Sequence, residues 1–179
     1  EVARVLFPDG YLIEKRSPGA RDLTQKLMDE RHPVIFQAVF STDKFLSAAD
    51  IIKWNPQAGM YDFYEVKMSS AEEADEEGDE PKVNKKKEER FENDLAFQVN
   101  VAGMCGVRFN KKYLVRLNRK YVRAGKIDLE KLFIFTDKTE VLSEAFLSDV
   151  GTKMESAFIY LSDVKEPAGV CECYYKGRS

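Results

Sequence analysis

Asp50, Glu65 and Lys67 are the residues whose types and spacing could do chemistry. Asp50 lies in the run SAADI, and Glu65 and Lys67 lie in YDFYEVK just downstream. In a strand, residues two apart share a face, so Glu65 and Lys67 point one way and Tyr64 and Val66 the other. The segment NPQAG at 55–59 carries turn residues, and a hairpin closing there sets Asp50 beside Glu65 across two strands. Side-by-side carboxylates in a half-buried sheet repel each other. A divalent cation relieves that repulsion, and oxygen-only ligation favours Mg²⁺ or Mn²⁺. Phosphodiester hydrolysis uses such a site, because the metal neutralises the phosphate and lowers the pKa of an attacking water. A neighbouring lysine can orient that water and stabilise developing charge. The spacing fits equally an Asp50–Glu65–Lys67 ion network that only holds the sheet together.

These residues need a sheet and a helix to position them. Segment 17–31 reads as a helix opened by Ser17 and Pro18, with Ala20, Leu23, Leu27 and Met28 on its apolar face. Strands are expected at 34–40, 44–54 and 60–68. Their connections are too short for parallel crossovers, so they form an antiparallel meander. A charged loop, expected to be mobile, spans 69–85. A helix follows over 86–104, with Phe91, Leu95, Gln98, Val99 and Ala102 sharing a face. Further strands are expected at 107–109, 112–117 and 132–135, and a last helix over 139–163. A short strand at 11–15, after a helix end stopped by Pro8 and Gly10, completes the reading. The order implies an α/β/α sandwich with a mixed central sheet.

Asp50, then Glu-x-Lys at 65–67 on the next strand, then Gln98 on the following helix, resembles the PD-(D/E)XK nuclease superfamily. Within it the chain is similar to the RecB-like branch that includes CRISPR-associated RecB-like exonucleases. Asp94 to Gln98 resembles that branch's helix motif, 116–118, 121–128 and 132–133 its later strand segment, and 1–10 its opening helix. The resemblance implies a restriction-endonuclease-like fold and a metal-dependent nuclease acting on DNA. It implies that Asp50, Glu65 and the Val66 carbonyl bind the metal, that Lys67 positions water, and that Gln98 bridges to the site or to the DNA backbone. Gln37 stands where relatives often carry a glutamate, which removes a negative charge. The alternative is a weak or inactive nuclease-fold domain that binds nucleic acid or a protein partner. Asp94 reads as a surface or capping residue, and His32, before Pro33, as non-catalytic.

Bulk properties set the frame. The chain has 179 residues, 44% of them hydrophobic, which suits a single domain spanning 1–179, read as a piece of a longer protein. No stretch approaches the roughly 18 apolar residues of a membrane span. The net charge of −3 is local in origin, because 71–80 holds seven acidic residues and the remainder carries +4. Tyr113, Tyr121, Arg116, Arg119, Lys120 and Arg123 place aromatics among basic residues, a pattern suited to single-stranded nucleic acid or, alternatively, to core packing with a solvated strand edge. Three cysteines make no disulfide framework, which points to a reducing, cytoplasmic setting. Cys171 and Cys173 would join an iron–sulfur cluster only in a longer protein that supplies the missing ligand.

Overall fold

A computed structural model of the chain describes residues 2–14, 17–70 and 85–162. Among these residues six strands form one sheet in sequential order: β1 (Tyr11–Leu12), β2 (Val34–Ser41), β3 (Leu46–Asn55), β4 (Met60–Ser70), β5 (Phe109–Leu117) and β6 (Phe133–Asp137). β1 with β2 and β4 with β5 are parallel, and the other pairs are antiparallel. The two parallel pairs are those joined through helices, α1 (Ala20–Asp29) and α2 (Lys85–Met104), as crossover geometry requires. α3 (Leu129–Leu132) and α4 (Glu144–Ser162) complete a mixed α/β fold whose mixed sheet is flanked by helices.

The flanking is unequal. α1, α2 and α4 share one core with the sheet, around Ile35, Ile52, Phe63, Leu95, Val101 and Met154. α4 reaches that core by packing on α2, where the Asn100 amide donates to the Leu147 carbonyl at 2.8 Å. The opposite face carries a smaller cluster, with Phe36, Ile51, Tyr64, Val115 and Phe133 covered by Leu6, Phe7, Leu129 and Leu132. Tyr64 stacks on Tyr113 there, their centroids 4.9 Å apart. Strand alternation divides these faces: Phe63 and Glu65 look toward α2, and Tyr64 looks away.

Several boundaries differ from the sequence expectation for local reasons. Ser17 does not cap α1. Its hydroxyl donates back to the Glu14 carbonyl, and the helix opens after Gly19, whose φ of 83° suits glycine. The strands expected at 107–109 and 112–117 are one strand, held through the irregular Asn110–Lys111 step by buried Asp62. That carboxylate accepts from the Asn110 amide at 2.7 Å and from the Lys111 N–H at 3.0 Å. α4 begins at Glu144 rather than 139, because 138–143 turns inward to bury Leu142, and the Ser143 hydroxyl accepts the Phe146 N–H. The first segment is a 3₁₀ turn, Val2–Leu6, and β1 is only two residues long. Of the charged loop expected at 69–85, Ser69 and Ser70 belong to β4 and Lys85 to α2, and the rest lies outside the described residues.

Candidate active site on β3, β4 and α2

β3 and β4 pair in register Ile51↔Tyr64 and Ile52↔Phe63, which carries Asp50 opposite Glu65. Asp50 is fixed by two donors. The Gln37 amide reaches Oδ1 at 3.0 Å and the Val66 backbone N–H reaches Oδ2 at 3.0 Å. The second bond takes the N–H of the residue between Glu65 and Lys67, so Asp50 is tied to the strand it faces. Gln37 adopts the left-handed conformation, φ 59°, in the middle of β2. A non-glycine residue there stores strain on the order of 1–3 kcal/mol, which the surrounding sheet must hold in place.

Glu65 is only 6% exposed. Burial, and next the facing charge of Asp50, push its carboxyl up to about 7, although Lys67 and the Gln98 amide act in the opposite direction. Lys67 donates to Glu65 Oε1 at 2.9 Å and also forms a short ion pair with Asp94 on α2. Burial alone would lower the lysine's pKa, but the two carboxylates together raise it, so Lys67 stays an ammonium. Its charge also lies 5.6 Å from the Phe91 ring centre. α2 supplies Phe91, Asp94 and Gln98 from one helix face at spacings of three and four. Two carboxylates therefore hold one ammonium, and the charge of Asp50 acts on the first of them.

Among the described residues, three buried side-chain oxygens here have no hydrogen-bond partner: Glu65 Oε2, Gln98 Oε1 and Gln37 Oε1. An unpartnered buried acceptor costs about 1–3 kcal/mol, and a cation satisfies acceptors where a donor is missing. The donor set is all oxygen, which fits Mg²⁺ or Mn²⁺. Among the described residues no group of three or more His, Cys, Asp and Glu side chains gathers to hold a metal. A cation here would thus rest on Asp50 and Glu65, with neutral oxygens completing its shell. A cleft of about 510 Å³ runs past Asp50, Gln37 and Val66, walled by Leu12, Phe36 and Met68, with Arg4 and Glu14 at its sides.

The sheet and α2 bring together Asp50, Glu65, Lys67 and Gln98. Sequence reasoning missed two partners. Asp94, read as a surface residue, pairs with Lys67, and Gln37, read only as a lost charge, orients Asp50. The position of Asp94, four residues before Gln98, was the available signal for the first. Arg116, read with the basic residues that follow it, is 8% exposed and paired with Glu88. Tyr113 packs in the core and the Tyr121 hydroxyl accepts the Asp128 N–H. His32 directs Nδ1 to the Val34 carbonyl at the start of β2. Cys105 is half-buried beside the Ser41 carbonyl, and Cys171 and Cys173 lie outside the described residues. No helix among the described residues is long and apolar enough to cross a membrane. The chain matches no protein-family model, no curated protein and no solved structure.

Proposed function

We propose that the chain is a metal-dependent phosphodiesterase domain of the PD-(D/E)XK kind, acting on DNA. The observation that carries this reading is the buried Glu65, opposite Asp50, with a carboxylate oxygen that has no hydrogen-bond partner among the described residues. Asp50 and Glu65 would hold Mg²⁺ or Mn²⁺, with the Val66 carbonyl available beside them. A metal bound there supplies charge neutralisation of the phosphate and acidification of a water molecule. The chain's own groups do the rest. Gln37 and the Val66 N–H fix Asp50, so that its remaining lone pairs face the site. Lys67 keeps its proton and offers an N–H to the attacking water or to a phosphate oxygen. Gln98 presents a neutral oxygen without adding charge to an already acidic cluster.

A second reading has one observation in its favour. Lys67 is already engaged by Glu65 and Asp94, the arrangement expected of an ion network in a domain that binds without cutting. Cleavage of single- and double-stranded DNA with Mg²⁺ or Mn²⁺, compared with Lys67→Ala, separates the two. Metal-dependent cleavage lost in the variant supports the enzyme. An absence of cleavage, or cleavage indifferent to the substitution, supports the second reading.

A further inference from the structure

The two halves of α2 contact the sheet by different chemistry. From Leu95 onward the contact is apolar, through Leu95, Ala96, Val99, Val101 and Ala102. Before it the contact is ionic. Glu88 takes both terminal nitrogens of Arg116, at 2.8 and 3.4 Å. Lys138, just after β6, donates to Glu88 at 2.6 Å and to Glu92 at 2.8 Å. Arg116 is the register partner of Lys67 on the parallel strand β5, so it extends the candidate site sideways along the sheet. Both cations are 8% exposed, and Arg116 Nε–H is buried with no acceptor among the described residues.

Stability does not require this design. Buried ion pairs return little beyond the cost of desolvating them, and apolar packing of the kind α2 shows one turn later serves as well. Arginine in a fixed fork with a spare N–H, next to a buried lysine, instead matches the oxygens of a phosphodiester. Arg116 stands at the end of the sheet where the parallel strands β4 and β5 finish, the place where open α/β sheets bind ligands, while Lys138 follows β6 beside Lys112 and reaches the same Glu88 with its side chain.

We propose that Arg116 and Lys138 form, beside Lys67, a binding row for the backbone phosphates of a nucleic-acid strand, and that Glu88 and Glu92 occupy this row until a polyanion displaces them. The proposal rests on the nuclease reading for its substrate, but its chemistry is independent of the metal. The first turns of α2 then act as a carboxylate cover that admits a strand only when its phosphates outcompete two glutamates.

The test is binding of a short fluorescent deoxyoligonucleotide in EDTA, over a range of salt, to wild type and to a Glu88→Gln, Glu92→Gln variant. The variant should bind about tenfold tighter, with a salt dependence steeper by about 0.7 for each cation released. Equal or weaker binding with an unchanged slope, in a variant that still unfolds cooperatively, overturns the proposal. If the double variant does not fold, Glu92→Gln alone frees part of Lys138 and must still tighten binding; no tightening there overturns it equally. Because binding is read in EDTA, tightened binding by a protein that shows no cleavage when given Mg²⁺ or Mn²⁺ would sink the nuclease reading alone. Intact cleavage with unchanged binding would sink only this inference.

Discussion

Asp50 accepts the backbone N–H of Val66 at 3.0 Å, which ties the carboxylate on β3 to the residue between Glu65 and Lys67 on β4. The donor is a backbone N–H, so it holds the Asp50 carboxylate against β4 through no side-chain torsion of its own. It also keeps Asp50 close enough to raise the pKa of Glu65.

The first prediction concerns pH. The Glu65 carboxyl is pushed up to about 7, by burial first and by Asp50 next. The folded state therefore keeps a proton that the unfolded chain has already released. Between the ordinary carboxylate value and about 7, folded-state proton binding exceeds unfolded-state binding, so stability falls as pH rises through that window. The total fall is on the order of 3 kcal/mol. Urea unfolding in EDTA across this range should show it, and Mn²⁺ should reverse it increasingly toward alkaline pH. Stability that rises with pH in EDTA would refute the assignment of Glu65 as the strained group.

Glu65→Gln removes that repulsion and leaves Lys67 paired with Asp94. Apo stability at pH 8 should increase by about 1–3 kcal/mol, and the stabilising response to Mn²⁺ should disappear. Thermal unfolding with and without Mn²⁺ reads both effects. A variant that keeps the full metal response would remove Glu65 from the ligand set.

Gln37→Glu exchanges the donor on Asp50 for a third acid. The apo protein should lose about 1–3 kcal/mol, from the lost hydrogen bond and the new repulsion. Divalent-cation affinity should rise by comparison with wild type. Calorimetric titration with Mg²⁺ checks the second effect, and unchanged affinity would mean that Gln37 does not border the cation.

Thr24→Val tests the scaffold separately. The buried Thr24 hydroxyl accepts the Val39 N–H at 2.9 Å and donates to the Ala20 carbonyl at 2.8 Å, joining α1 to β2. Valine keeps the shape but leaves the strand N–H without an acceptor, a loss of about 1–3 kcal/mol. Denaturant unfolding should register that loss while the Mn²⁺ response stays intact, because no site residue is touched.

The meander of β2, β3 and β4 was legible because short turns and strand periodicity leave one topology, and the same geometry sets Asp50 against Glu65. α2 was legible from its apolar spacing, and Gln98 from its place on that face. The rest depended on contacts between distant segments. The helix face that Asp94 shares with Gln98 was a cue to the site but did not name Lys67 as its partner, and nothing near Arg116 announces Glu88. Gln37 was harder still, because a left-handed residue in mid-strand breaks the propensity rule that sequence reading relies on. A cleft wall also hides a cue for glycine: a Cβ at Gly10 would overlap the Phe36 ring, so Gly10 serves close packing as well as turning the chain.

Binding of Mn²⁺, followed by electron paramagnetic resonance on the wild-type protein and on Asp50→Asn and Glu65→Gln, tests the central claim most directly. The account predicts saturable binding to the wild type that either substitution weakens by at least about tenfold, the scale on which groups around a metal affect affinity. Wild-type protein that leaves the Mn²⁺ signal free, or variants that bind as well as wild type, would contradict it.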